Sequence, residues 1–195
     1  MIRLMPKPST GFFMLRRLVL NFIPALILLG LALTPTHVES QTGLVGVRLP
    51  ADTQIPSVPR VELDQKVIDY GSFTWTVLST AELAELDRSG QPYQAYPDPY
   101  ALTLGGQTFD PLLSPPKVNP DQGIASDPGQ PGLHLVQFHG PTKPAWLAAL
   151  QAGRLEIVQS IHPFTYVVWG ESAALASQAG RDFVRWTGDY LPAYA

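Results

Sequence analysis

Ser172 is the residue whose neighbours come nearest to a catalytic pattern. It stands in Gly170-Glu171-Ser172-Ala173-Ala174, after an expected strand and at the opening of an expected helix, where a nucleophile elbow would raise a serine Oγ above a sheet. The pattern departs at its last position, where Ala174 replaces glycine, and no histidine follows Ser172 to act as base. A second arrangement, Asp52-Thr53, His139-Gly140 and Ser172, runs in an Asp, His, Ser order that one class of serine hydrolases uses. Here Gln54 stands where that order wants glycine, and only 33 positions separate His139 from Ser172, too few for the large parallel sheet that presents such a serine. His134 and His139 suggest a metal pair, but their odd separation along a strand sends their side chains to opposite faces. His162, next to Pro163, reads as a rim residue of a turn. With no cysteine there is neither a thiolate nucleophile nor a disulfide. These residues therefore support no catalytic, cofactor-binding or metal-ligating assignment, and Ser172 reads as part of the first turn of a helix.

The elements that would hold these residues are legible in pieces. Phe73, Trp75 and Val77 alternate with threonines as a strand does. Ser79 followed three positions later by Glu82 forms a capping box, Leu83 and Leu86 share a helix face, and Gly90 supplies the stop. Short strands are expected near 93–96 and 100–104, and this block, 64–113, is read as a small α+β unit. Residues 114–132 hold Pro115, Pro116, Pro120, Pro128 and Pro131 with little apolar content, which predicts a semi-rigid linker. Beyond it, Leu133–His139 reads as a strand, and a helix begins near Thr142 with Pro144 in its first turn. Strands follow around Leu155–Ile161 and Tyr166–Trp169, then an Ala-rich helix Glu171–Ala179 and a last strand Phe183–Trp186. The order β-α-β-β-α-β predicts a ferredoxin-like unit over about 133–188, a four-stranded antiparallel sheet with both helices on one face. The preceding βαββ block repeats its first half, so the fold class is α+β with two related units. Trp146, Tyr166, Trp169, Phe183 and Trp186 would fill its thin core, or leave one or two members exposed for docking.

The N-terminus carries a different message. Arg3, Lys7, Arg16 and Arg17 precede an apolar run from Leu18 to Leu33, the charged and hydrophobic regions of an export signal. Met14 would serve as a more compact start. The run is shorter than the roughly 20 residues of a membrane span, and Val38 and Ser40 offer a cleavage site after Ser40. Residues 1–40 are thus expected to be a signal peptide, or a membrane anchor through 18–33 if uncleaved. They hold four of the 13 basic residues and one of the 16 acidic ones, so the exported body is mildly acidic and nucleic acid is a poor partner. Residues 41–63, with Pro50, Pro56 and Pro59, read as a Pro-rich extended leader unable to fold alone.

Longer segments carry a resemblance. Leu133-His134-Leu135-Val136-Gln137-Phe138-His139-Gly140-Pro141, Pro144–Leu150, Tyr166-Val167-Val168-Trp169-Gly170 and Val184–Tyr194, together with Asp69–Phe73 and Gly105–Pro111 upstream, resemble the N-terminal pro-region of bacterial secreted subtilisin-family serine proteases. The resemblance covers roughly 66–195. It implies a βαββαβ module that assists folding of a protease domain and inhibits it, laying the outer face of its sheet on that domain. The tail Tyr190, Leu191, Pro192, Ala193 and Tyr194 would enter the active-site cleft. It further implies a subtilisin-type protease domain as partner, in cis in relatives and in trans here, with no cofactor. Members of that family continue past the position of Ala195 into a catalytic domain, so the chain is expected to be either a truncated protease or a stand-alone inhibitor. Two other readings stay open: an exported envelope or protein-binding protein, and an esterase-like hydrolase using Ser172.

Overall fold

The computed structural model describes residues 43–51, 53, 66–118 and 129–194. The expected signal or anchor of residues 1–40 lies outside them, and among the described residues no helix is long and apolar enough to cross a membrane. The fold is mixed α+β, with antiparallel sheets and three α-helices.

The first sheet contains β1 (Leu44–Pro50), β2 (Ile68–Asp69), β3 (Phe73–Ser79) and β4 (Gln94–Pro97), in the order β2-β3-β1-β4. β1 corrects the expectation of an extended leader. It lies between β3 and β4, pairs antiparallel with both, and buries Val45, Val47 and Leu49. The alternation of those three residues is an ordinary half-buried strand signal, masked in the sequence by the prolines that follow. α1 (Thr80–Ser89) connects β3 to β4 across β1 and begins with the expected capping box, in which Glu82 N–H donates to Ser79 Oγ and Ser79 N–H donates to Glu82. It lays Leu83 and Leu86 on Val45, Val47, Leu49 and Leu78.

Residues 102–109 form a hairpin, β5 (Leu102–Leu104) and β6 (Gln107–Phe109), separate from both larger sheets. β7 (Pro131–Phe138), α2 (Pro144–Ala152), β8 (Glu156–Ile161), β9 (Thr165–Glu171), α3 (Ser172–Ala179) and β10 (Val184–Asp189) follow, with strand order β10-β7-β9-β8 and every pairing antiparallel. Pro144 is the first residue of α2, where its missing N–H has no bond to lose. Leu150 of α2 and Leu175 of α3 pack with Val136, Phe138, Val168 and Val184, so both helices cover one face. β10 runs to Asp189, beyond the expected end at Trp186, because Thr187, Gly188 and Asp189 pair with Val136, Leu135 and His134.

Two junctions join the parts on either side of 114–132. Trp75 of β3 donates from Nε1 to the His139 carbonyl and meets Phe164 edge-on, with ring centroids 5.2 Å apart. It fits because Gly46 and Gly140 flank it: a Cβ on either would lie 2.6 Å from the indole. The second junction is a buried ion pair. Arg185 donates to Oδ1 and Oδ2 of Asp110 at 3.0 and 3.1 Å and to Gln137 Oε1 at 2.7 Å, with its guanidinium 3.8 Å from the centre of the Tyr100 ring. Both charged side chains are 1% exposed. A register shift between Val184 and Trp186 is a bulge that leaves Trp186 on the hairpin side together with Arg185, while Val184 faces the helices.

Asp110→Ala should therefore leave a buried cation without its partner and lower stability by about 3–5 kcal/mol in denaturant titration. The double variant Asp110→Leu/Arg185→Met, which removes both charges, should recover most of that loss. A loss below about 1 kcal/mol for the single variant would contradict the structural role given to the pair.

Candidate functional site

The face of the second sheet that bears no helices is closed by other parts of the chain. Leu135 of β7 and Val167 of β9 are buried there beneath Leu102 and Leu104 of β5, Phe109 of β6 and Tyr194. The tail Tyr190–Tyr194, expected to be available to a partner, is seated on this surface. Tyr190 N–H donates to the Leu133 carbonyl at 3.0 Å, and the Tyr190 hydroxyl donates to the Tyr194 carbonyl at 3.1 Å. Pro192–Tyr194 form a single 3-10 turn whose Tyr194 ring stacks on Phe109. The seat is close enough to require Gly105, since a Cβ there would stand 2.0 Å from the Ala193 carbonyl oxygen, and its φ of +53° suits glycine.

Beneath the end of β10 lies a pair that the spacing of the sequence does not reveal. His134 Nδ1 is 2.8 Å from Asp189 Oδ1, and its Nε2 is 3.0 Å from the Gly170 carbonyl oxygen. His139 lies elsewhere, buried just past the end of β7, with its carbonyl accepting from Trp75 and Tyr100. His162 is exposed in the β8–β9 turn, where its bond to Pro163 is cis. Asp52 lies outside the described residues.

Ser172 is the first residue of α3, and Gly170 and Glu171 before it still belong to β9. The histidine near this corner, His134, spends its Nε2 on Gly170, and among the described residues no hydrogen bond joins Ser172 to a histidine. A cleft of about 450 Å³ opens beside it, lined by Trp169, Arg154, Glu156, Glu171 and Gln151 among others, but not by Ser172. Among the described residues there is no cluster of three metal-ligating side chains.

The five aromatic residues divide. Trp146, Tyr166 and Phe183 surround Phe138 in the core below the helices, and Trp186 packs on the hairpin side. Trp169 is 44% exposed at the rim of the cleft. It is the member of the group left open to solvent.

The arrangement is that of a small α+β module whose second sheet carries its helices on one face and its own hairpin and tail over Leu135 and Val167 on the other. Residues 103–191 are similar to the family described as Domain of unknown function (DUF8729), a match covering less than half of the chain. It begins in β5 and ends at Leu191, so it includes both partners of the Asp110–Arg185 pair. No curated protein and no solved structure matches the chain.

Burial raises the phenols of Tyr70 and Tyr194 above their ordinary value. Tyr93 is pushed up to about 12 by burial, then by its hydrogen bond to Asp87 and by the charge of that carboxylate. The stability these neutral phenols contribute is complete below the unfolded tyrosine value of about 10 and is lost as pH rises through the folded values. Absorbance titration should show tyrosinates lagging behind free tyrosine above about pH 10. Tyr70→Phe and Tyr194→Phe should each remove a late-titrating group; a titration in which neither does so would contradict their burial.

Proposed function

We propose that this chain is a non-catalytic, exported protein-binding module of the pro-region type, whose partner is a subtilisin-type protease domain. The observation that carries the reading is the strand order β10-β7-β9-β8 with α2 and α3 on one face. It supports the finer description of residues 133–188 as a ferredoxin-like unit, the fold that the resemblance of these segments to pro-regions implies. Fold alone does not assign activity; the protease partner comes from the resemblance.

The seated tail refines the expected mode of binding. A pro-region-like module that uses the outer face of its sheet and its tail must first exchange the contacts of Tyr190 and Tyr194 with its own strands for contacts with the partner. That exchange lowers apparent affinity in proportion to the fraction of molecules whose tail is released.

A second reading, a stand-alone exported envelope or protein-binding protein, is favoured by the same covered face. A module already closed by its own hairpin needs no protease to bury Leu135 and Val167.

The full chain, added in increasing concentration to several subtilisin-type proteases, should slow cleavage of a standard peptide by at least one of them. Unimpaired cleavage across the set would overturn the protease-partner reading. Ester hydrolysis by the chain that disappears in Ser172→Ala would overturn its non-catalytic part.

A further inference from the structure

His134 is fully buried between two oxygen atoms. A neutral imidazole carries one N–H and one lone pair, and a backbone carbonyl only accepts. With an ionised Asp189, a neutral ring would satisfy one of the two oxygens and aim its lone pair at the other. Satisfying both takes one further proton. It resides either on the ring, giving an imidazolium against a carboxylate, or on the Asp189 carboxyl, which then donates to Nδ1. In both cases the pair holds one proton more than a neutral histidine with an ionised aspartate, and the proton belongs to the pair.

Among the described residues, Arg154 and Glu156 line the cleft beside Gly170, and no ion pair other than that with Asp189 is made by the ring. β7 carries no further titratable side chain, and α3 carries none. On β9 the candidates are Tyr166, packed against Phe138, and exposed Glu171. On β10 they are Asp189 itself and Arg185, which is engaged with Asp110. In the tail, the Tyr190 N–H donates to the Leu133 carbonyl and the Tyr190 hydroxyl to the Tyr194 carbonyl. Asp189 is the partially exposed member of the pair, with its side chain 32% exposed, so the proton has a route to solvent.

We propose that the proton shared by His134 and Asp189 latches the C-terminal tail onto the second sheet. Asp189 is the last residue of β10, and the next residue, Tyr190, makes the bond to Leu133 that begins the tail's seat. When the proton leaves, a ring lone pair faces either the carboxylate or the Gly170 carbonyl. The end of β10 then separates from β7, and Tyr190–Tyr194 lose their anchor. The latch closes at low pH and opens as pH rises, because the closed state binds the extra proton. Opening uncovers part of the face around Leu135 and Val167. The use of that face by a protease rests on the pro-region reading above; the latch itself does not.

The test uses the full chain between about pH 5.5 and about pH 8.5, the range in which histidine changes charge. Long-range proton–nitrogen spectra of His134, together with the protection of the Tyr190 and Tyr194 amides corrected for intrinsic exchange, report the pair and the tail. At the acid end the spectra should show either two protonated ring nitrogens or a protonated carboxyl bonded to Nδ1. Protection of the tail amides should fall at least about tenfold toward the alkaline end, as loss of one coupled proton allows. In Asp189→Asn the side-chain amide donates to Nδ1 while Nε2–H donates to Gly170, so the tail should stay protected throughout. A ring with an unbonded lone pair at the acid end, protection independent of pH, or an unchanged pH dependence in Asp189→Asn would each overturn the latch. A pH-dependent tail in a chain that slows no protease would leave the latch standing and remove the pro-region reading. Inhibition by a chain whose tail ignores pH would do the reverse.

Discussion

The ion pair between Asp110 and Arg185 is the constraint on which the rest of the structure depends. Two opposite charges that are almost wholly buried are a poor source of net stability, because desolvation offsets most of their attraction. Their value lies in geometry. The guanidinium is used in three directions, toward both oxygens of Asp110, toward Gln137 and over the face of Tyr100. Gln137 in turn donates to the Tyr100 carbonyl and to Thr165 Oγ1, while Asp110 Oδ1 accepts from the amides of Leu112 and Leu113. A displaced hairpin would strand a charge in an apolar interior, so only one placement of β5–β6 on the second sheet is tolerated.

That placement decides what the second sheet can offer. Sheets with helices on one face commonly leave the other face to solvent or to a partner. Here the hairpin and the tail fill it, and Gly105 brings the hairpin turn against the Ala193 carbonyl. Trp75 performs the equivalent service at the other junction, wedged between Gly46 and Gly140 and bonded to His139. Lys143 adds a surface clasp there, donating to the Asp69 carbonyl at 2.6 Å while lying over the Tyr70 ring. The blocks before and after 114–132 therefore share their packing, although composition alone suggests two separate units.

What could be read from the sequence was local. The Ser79–Glu82 capping box, Pro144 at the start of α2 and the alternation in β3 each depend on residues a few positions apart, and each forms where it was expected. β1 was hidden because Pro50, Pro56 and Pro59 dominate its surroundings, while its partners lie about 30 residues downstream in β3. The end of β10 was lost because Gly188-Asp189 resembles a turn, and only pairing with β7 makes it a strand. The candidate site was less legible still. Asp110 and Arg185 are 75 residues apart, and His134 and Asp189 are 55 apart. No periodicity connects them; the alternation rule could separate His134 from His139, but could not find its carboxylate. The tail looked free because its seat is made by Phe109 and Gly105, residues of a hairpin that belongs to neither larger sheet.

A tail attached next to its own binding surface competes with any external partner at the high effective concentration of an intramolecular contact. Against a partner of fixed intrinsic affinity, the fraction of molecules with an open tail sets the observed affinity. Small changes at the anchor are thus amplified at the surface: about 1.4 kcal/mol taken from the seat of Tyr190 raises the open fraction tenfold while that fraction remains small. The His134–Asp189 pair is well sited for such control, since it adjoins the first tail contact and is coupled to solvent through Asp189. The Asp110–Arg185 pair, sealed from solvent on the hairpin-covered face while His134 alternates to the helix-covered one, holds the hairpin regardless of the tail. On the proposed reading, the two buried pairs divide the work: one makes the hairpin side of the surface permanent, and the other leaves the tail side adjustable.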